Sequence, residues 1–411
     1  MKILYISFFF PPFNTIGGFR AYGQVKALRE AGCEVRVITS ANQGFEKEEY
    51  IDYENLDRDT YYIRSSNQVR LASSRVSSLK VFLINLPRIF NRYFFLLKYL
   101  VLGEEKKWLH QAKQEYASIL GTWVPDFIMS SQSPISSHEL ASFISTETDT
   151  KWAAEYRDSW SYNPMAFSSS QYDLSSIIMR LIEKKILKNC SLIVSATKNI
   201  KSYYEKHFKI DNFLLYGGWE TEINSYLVPP SRKKIQITHL GSMLQGRRSI
   251  KPIITIVNRS KTISKKYEFQ FIGRDTDIFR NLLSGKAKDS IILKDLVPFS
   301  EAEKYGLQTD ILLILMMDTP QEKYTLTGKI FDYIKYKKPI LIVDPFDSEV
   351  SSLIKEYDIG HVFQTYDDLQ TFLESLTDID DLKCISEKNR SHFKRTKQIS
   401  GLLNYLKENL I

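Results

Sequence analysis

Hydrophobic positions fall into short apolar runs that alternate with longer stretches of helical periodicity. This alternation predicts parallel sheets built from βαβ units. The first helix is predicted over Gly18–Ala31. The predicted strands are Lys2–Ser7, Glu34–Thr39, Tyr61–Arg64, Asp126–Ser130, Lys151–Tyr156 and Leu192–Ser195 in a first series, and Ile235–Leu240, Glu268–Gly273, Ser290–Leu293, Asp310–Met316 and Pro339–Asp344 in a second.

A Gly- and Pro-containing segment, 217–233, separates the two series and predicts an interdomain linker. We therefore predict an N-terminal Rossmann-like domain over 1–216, with a basic and apolar helical region at about 70–120. A C-terminal Rossmann-like domain is predicted over 234–411. Ligands of such sheets bind beyond the carboxyl ends of the strands. The expected fold is thus α/β, with two Rossmann-like domains facing a cleft.

Chain length limits the number of domains, and the cysteine content indicates the cellular compartment. A chain of 411 residues is long enough for two domains. Cys33, Cys190 and Cys384 are widely spaced and odd in number, which excludes a disulfide framework and fits a reducing cytoplasm. The apolar run 3–10 is cut short by Pro11 and Pro12, so it predicts a first strand and not a signal peptide.

The stretch from Gly328 to Val343 is typical of a loop, a short helix and a buried strand. Thr325 or Thr327 is expected to cap the helix, and Pro339 to end it before the strand. The N–H groups at a helix N-terminus favour a phosphate. Asp332, one turn into this helix, could then accept hydrogen bonds from a ribose diol.

A second segment, 240–248, combines a strand that ends at Gly241 with two arginines expected to open the next helix. Arg247 and Arg248 suit a bidentate grip on phosphate. The same pattern is also typical of a solvated helix start, and the segment alone does not decide between the two.

A third segment, 14–22, places Gly17 and Gly18 between the first strand and the first helix. Glycine lets a backbone approach a ligand closely. The segment lacks the G-x-G-x-x-G spacing, and no acid follows the second strand, where Thr39-Ser40-Ala41 stands. NAD binding is therefore disfavoured.

The stretch 328–343 resembles the donor signature of the family-4 glycosyltransferases, retaining enzymes of the GT-B fold. Asp332 lies seven residues before Pro339, as the second acid of that signature does. Tyr324 stands where the first acid is usual, and Lys337 where a glycine is usual. In these departures the segment resembles a subset of such enzymes that act in bacterial surface-polysaccharide pathways.

The resemblance implies a nucleotide-sugar co-substrate, no further cofactor and no bound metal. Arg247 or Arg248, with Lys329, would neutralise the donor diphosphate, and a cation there would also aid its departure. Asp332 would contact the ribose. The implied donor-binding residues are Gly17, Gly18, Gly241, Arg247, Arg248, Lys329 and Asp332.

Acceptor-side candidates follow the predicted strand 151–156. Arg157-Asp158 occupies the place of a His-Asp pair common in the family. We hypothesise that Asp158 positions or deprotonates the acceptor hydroxyl and that Arg157 holds an anionic group; a structural Arg–Asp ion pair is the alternative. His138, expected near the mouth of the cleft, is a weaker acceptor candidate.

Other charged segments bear on metals and membranes. The D-x-D triplets 57–59, 275–277 and 378–380 are in polar loops and are interpreted as surface acids, so no metal site is predicted. Residues 81–102 combine apolar residues with Arg88, Arg92 and Lys98, which is typical of a helix at an anionic membrane surface or of a core helix with a basic edge. No nucleic-acid motif is present.

The sequence thus predicts a cytoplasmic glycosyltransferase, hexosyltransferase-like and metal-independent, that uses a saccharide or lipid-linked acceptor in cell-surface polysaccharide synthesis. It would sit on the inner face of the plasma membrane if 81–102 binds lipid. Two alternatives stay open. One is a nucleotide-sugar epimerase of similar architecture, and the other is a non-catalytic GT-B binding or scaffold protein.

Overall fold

The computed structural model describes residues 1–13, 15–41, 59–64, 104–162, 174–219 and 232–411. The chain divides into two compact units. The first comprises Met1–Gly217 together with Arg395–Ile411, and the second comprises Gly218–Lys394.

The first unit is a parallel sheet of seven strands in the order β3-β2-β1-β4-β5-β6-β7, with helices along it. Its strands are β1 Lys2–Ser7, β2 Glu34–Ser40, β3 Thr60–Ile63, β4 Phe127–Gln132, β5 Trp152–Tyr156, β6 Leu192–Ser195 and β7 Asn212–Leu214. Its helices are α1 Ile16–Glu30, α2 Glu104–Leu120, α3 Ser136–Thr148, α4 Leu174–Ile186 and α5 Lys198–His207, with the later α13 Arg395–Asn409.

Strand β1 shows how the sequence builds this sheet. Ile3 and Tyr5 join one apolar cluster, and Leu4 and Ile6 join another, because successive side chains of a strand point to opposite faces. All four are fully buried. A sheet buried on both faces requires such continuous apolar runs, which is why the strands stand out in the sequence.

The second unit is a parallel sheet of six strands in the order β10-β9-β8-β11-β12-β13. Its strands are β8 Ile235–Leu240, β9 Tyr267–Ile272, β10 Ile291–Lys294, β11 Ile311–Leu315, β12 Ile340–Val343 and β13 His361–Phe363. Its helices are α6 Lys251–Arg259, α7 Lys261–Lys266, α8 Phe299–Gln308, α9 Lys329–Tyr336, α10 Glu349–Glu356, α11 Tyr366–Ser375 and α12 Glu387–His392.

The predicted α/β fold class, with two Rossmann-like units, is confirmed, and every predicted strand has a counterpart. In both sheets the strand order reverses beside the first strand of the unit, between β1 and β4 and between β8 and β11. Such switch points open a crevice at the carboxyl ends of the strands. Two edge strands, β7 and β13, were not predicted. Both are three residues long, too short for an apolar pattern.

The last helix, α13, belongs to the first unit, although the sequence division assigned 234–411 to one C-terminal domain. Ile399, Leu402 and Leu406 of α13 join the apolar cluster that contains Val25 and Leu28 of α1. Helical periodicity predicts such an apolar stripe but not which sheet the stripe will cover.

No helix in the described ranges is both long enough and apolar enough to cross a bilayer. The segment 81–102, for which a membrane-surface helix was one prediction, lies outside the described residues.

Candidate functional site

The turn after β8 brings backbone and side chains together at the switch point of the second unit. Gly241 has a φ of +127°, and a Cβ at this position would lie 2.7 Å from Nζ of Lys329. The backbone angle favours glycine, and a Cβ here would also force the end of the Lys329 side chain to move. The carboxylate of Asp275 fixes the turn, accepting hydrogen bonds from Oγ of Ser242 (3.2 Å) and from the backbone N–H of Gln245 (3.0 Å).

Lys329, the first residue of α9, is held by His239 of β8. Nδ1 of His239 lies 3.0 Å from the carbonyl oxygen of Leu313, and Nε2 lies 3.1 Å from Nζ of Lys329. A carbonyl oxygen only accepts, so Nδ1 carries the proton and Nε2 accepts from the lysine. Burial lowers the pKa of His239 well below its usual range, with Lys329 and Arg248 adding to the shift, which keeps the ring neutral.

Arg248, and not Arg247, lies in the interior of this turn. Arg248 is 8% exposed and Arg247 is exposed. Nε of Arg248 is buried and has no hydrogen-bond partner among the described residues. The prediction that the two arginines open a helix is wrong. Leu244, Gln245 and Gly246 have positive φ and close a left-handed turn, so α6 begins only at Lys251.

Glu322 is a site residue that the sequence did not reveal. It is fully buried in the 3₁₀ segment Pro320–Tyr324, and neither carboxylate oxygen meets hydrogen-bond geometry with any described residue. Burial raises its pKa, although Thr325 and Arg248 act in the opposite direction. The Thr325 side chain and the Met317 backbone lie close enough to lower the pKa of Glu322, but a buried carboxyl group without a well-formed hydrogen bond is costly. The donor signature places its first acid at Tyr324. Glu322 lies two residues earlier, so a search at that spacing misses it.

Helix α9 carries Asp332 in its first turn, as predicted from the sequence. The predicted Thr325 or Thr327 cap is wrong. Gly328 is the N-cap residue, and no side chain caps the helix. The N–H groups of Ile330 and Phe331 already donate to the carbonyl oxygens of Thr327 (3.3 Å) and Gly328 (3.1 Å), so this helix start attracts an anion mainly through the positive end of the helix dipole. Helix α9 ends at Tyr336, before Pro339 as predicted.

The charge of Lys329 predicts a pH dependence for anion binding. Burial lowers the pKa of Lys329 well below 10.5, and Arg248 lowers it further, against Asp332 and Glu322. The empty folded protein therefore gains stability as pH rises toward 10.5, whereas a bound diphosphate favours the ammonium form. We expect the affinity for an anion such as a nucleoside diphosphate to fall as pH rises toward 10.5, because the lysine then loses its charge. Titration calorimetry on Lys329→Arg, which stays charged, is expected to lose this fall; an unchanged fall would contradict it.

In the first unit, the predicted glycine pair opens α1. The side chain of Thr15 caps the helix by accepting from the N–H of Gly18 (2.9 Å). A Cβ on Gly17 would lie 2.7 Å from Nη2 of Arg157, so the guanidinium rests against the first turn of α1. Nε of Arg157 donates to the carbonyl oxygen of Gln132 (3.0 Å). The structure thus brings together Gly17 and Arg157, which are 140 residues apart in the chain.

Beneath this contact is a buried polar network that the sequence analysis missed. Oε1 of Glu155 accepts from Nε of Arg20 (2.7 Å) and from Nε2 of Gln24 (2.5 Å). Tyr5 donates to Oε2 of Glu155 at 3.5 Å. Burial acts to raise the pKa of Glu155, but Arg20, Ser131 and Gln24 together lower it. Glu155 is therefore a buried carboxylate anion that forms an ion pair with the guanidinium of Arg20.

Asp158 and His138 occupy different environments. Asp158 is exposed and makes no ion pair with Arg157 among the described residues. His138 is fully buried, with its ring 4.7 Å from that of Tyr156 and Nδ1 2.8 Å from Oγ of Ser130. Burial lowers the pKa of His138 to about 3. His138 was predicted near the mouth of the cleft, but the first turn of α3 points its ring into the core, where it is fully buried.

Metal-ligating side chains do not gather in groups of three or more within the described ranges. Asp275, from one of the three D-x-D triplets, instead ties the turn after β8 to the end of β9.

No protein-family model matches the chain, and no curated protein matches it at a significant level. Solved structures do match it along its whole length. Sucrose-phosphate synthase from Thermosynechococcus elongatus has a TM-score of 0.61 at 13% identity, over 99% of each chain. The lipopolysaccharide outer core galactosyltransferase WaaB, in its apo form, has a TM-score of 0.60 at 12% identity, over 100% of each chain.

A third solved structure is HepE from Anabaena, in complex with UDP and glucose. Its TM-score is 0.61 at 10% identity, over 99% of this chain and 100% of that one. At these identities the similarity establishes the fold alone. That fold is of the GT-B type, with two Rossmann-like units, as the sequence predicted.

Proposed function

We propose that this protein is a glycosyltransferase that moves a sugar from a nucleotide-sugar donor to a saccharide or lipid-linked acceptor. One observation carries the proposal. At the carboxyl end of β8, Lys329 packs on Gly241 and Arg248 is buried nearby, close enough for its charge to lower the pKa of Lys329. Two partly desolvated cations with no ion pair to any described residue suit a diphosphate.

Different residues of the second unit bind different parts of the donor. Lys329 and Arg248 hold the diphosphate, assisted by the uncapped first turn of α9. Asp332 accepts from the ribose hydroxyls, and Glu322, which is fully buried, acts through Arg248, whose charged form its carboxylate favours. As the bond between the sugar and the diphosphate breaks, negative charge gathers on the leaving oxygen, and both cations stabilise it. Arg247, being exposed, has at most a minor part.

On the acceptor side, we assign Asp158 to the acceptor hydroxyl and Arg157 to an anionic group of the acceptor. Gly17 allows Arg157 to rest on α1, and Gly18 is fixed by the Thr15 cap. We propose retention of configuration, no metal requirement, and action in the cytoplasm. His138 has no direct part because its ring is buried.

The activity and ligand of two structural neighbours agree with this class of reaction. One neighbour is a galactosyltransferase of the lipopolysaccharide outer core, and HepE was solved with UDP-glucose. We therefore favour a bacterial hexosyltransferase of surface-polysaccharide synthesis, with a uridine nucleotide as the first donor to test.

The test is release of nucleoside diphosphate from UDP-sugars, with and without a glycan or lipid-linked glycan mixture, in chelator. Acceptor-dependent release with a lengthened glycan is the expected result, and Asp158→Asn should lower it at saturating donor. Interconversion of donor sugars without acceptor would instead indicate an epimerase. Donor binding without any turnover would indicate a non-catalytic binding protein.

A further inference from the structure

Helix α4 of the first unit presents an apolar stripe to solvent. Leu174 and Leu181 are each 63% exposed, and Ile177 is 41% exposed. These residues are three and four positions apart, so they share one face of the helix. The opposite face packs into the core through Met179, Glu183 and Ile186. A row of exposed large apolar side chains on a helix indicates a binding surface.

The same exposed face continues into a basic cavity. Lys184 lies one turn beyond Leu181 and lines a cavity of about 480 Å³ together with Leu187, Glu205, Lys206, Phe208 and Lys209. The ammonium of Lys184 lies 5.8 Å from the centre of the Phe208 ring. Cations with an apolar floor, beside an apolar stripe, form an amphipathic surface.

The charge of this surface is strongly one-sided. Lys185 and Lys188 of the same region are exposed, as are Lys184, Lys206 and Lys209. The one acid of the cavity, Glu205, pairs with Lys201 at 3.5 Å. Lys184 and Lys209 have no carboxylate within 4.0 Å among the described residues. The cations of Arg180, Lys206 and Lys184 add to the effect of burial in lowering the pKa of His207.

We propose that α4 and the adjoining basic cavity, together the α4 surface, dock on an anionic lipid bilayer. Leu174, Ile177 and Leu181 would enter the boundary between headgroups and acyl chains, and the lysines would contact lipid phosphates. Charge complementarity selects this partner, because a second copy would bring an equal set of lysines against the first. The α4 surface does not include residues 81–102, and its binding to a bilayer does not require the proposed reaction.

Flotation of the full-length protein with vesicles tests the α4 surface. One vesicle type is phosphatidylcholine alone, and the other contains about 30% phosphatidylglycerol. We expect binding to the anionic vesicles only. Leu174→Ser with Leu181→Ser should lower the partition coefficient at least about tenfold. Lys184→Glu with Lys206→Glu and Lys209→Glu should lower it about 100-fold.

Matched controls separate this surface from general effects of charge and exposure. Val124→Ser with Leu296→Ser changes two side chains that are 62% and 65% exposed elsewhere. Lys251→Glu with Lys261→Glu and Lys265→Glu changes the net charge equally. Both controls should bind as the wild type does. Three results would overturn the proposal: no binding by the wild type, full binding by both α4-surface variants, or loss of a dimer and not of vesicle binding when the leucines are changed.

Discussion

Lys329→Ala is expected to lower kcat/KM for the nucleotide sugar about 10²- to 10³-fold, with the fold intact. The ammonium of Lys329 is held by Nε2 of His239 and packed on Gly241, which fixes its charge at the carboxyl end of β8. Its charge acts where negative charge develops on the leaving diphosphate. The measurement is steady-state release of nucleoside diphosphate, with circular dichroism to verify folding.

Arg247→Ala is the matched control for Lys329→Ala. It removes one positive charge from the same region, but Arg247 is exposed, and surface changes of this kind alter rates by no more than about twofold. Arg248→Ala should resemble Lys329→Ala, because Arg248 is buried beside it. Equal losses for Arg247→Ala and Lys329→Ala would show that only net charge matters and would contradict the assignment.

Arg20→Ala is expected to destabilise the protein by about 3–5 kcal/mol at pH 7. Among the described residues, Arg20 alone forms an ion pair with the buried carboxylate of Glu155, at 2.7 Å, and its Nη2 also donates to the carbonyl oxygen of Leu215 (2.8 Å). Removing it leaves a charged group buried with only neutral donors. Urea denaturation followed by tryptophan fluorescence measures the loss.

The pH dependence of stability and a double variant test whether the loss in Arg20→Ala comes from the unpaired charge of Glu155. The lowered pKa of Glu155 stabilises the wild type above its unfolded pKa of about 4.3, and this stability is lost as pH falls through the folded value. In Arg20→Ala the carboxyl can protonate, so its deficit should shrink toward pH 5. Arg20→Ala with Glu155→Leu should recover part of the loss. A deficit that is independent of pH and additive in the double variant would contradict a charge origin.

The sequence predicted those parts of the molecule that depend on local pattern. Strands buried on both faces are apolar runs. Lys329 and Asp332 lie at the start of a helix whose end is marked by Pro339 and the strand that follows. Arg247 and Arg248 could not be told apart, since their exposure is set by three left-handed residues in the preceding turn. Only Gly246 among those three is a glycine that signals such a turn.

The residues that the sequence missed depend on long-range packing. Glu155 and Arg20 are 135 residues apart, and neither lies in a motif. Glu322 was passed over because the first acid was expected at Tyr324, which is 41% exposed, whereas Glu322 is buried. His138 was expected near the mouth of the cleft because it lies at a helix start after a strand, and helical periodicity does not say which way the first turn of α3 faces.

The most direct test of the donor site is a thermal-shift measurement with UDP, GDP, ADP, CDP and dTDP, in chelator. The wild type is compared with Asp332→Ala and with Asp289→Ala, an exposed acid of the same unit. At a hundred times its dissociation constant, a nucleotide that binds only the folded state stabilises by about 2.7 kcal/mol. We predict that one nucleotide stabilises the wild type and Asp289→Ala but not Asp332→Ala. No shift with any nucleotide, or an equal shift in all three proteins, would contradict a nucleotide site at α9.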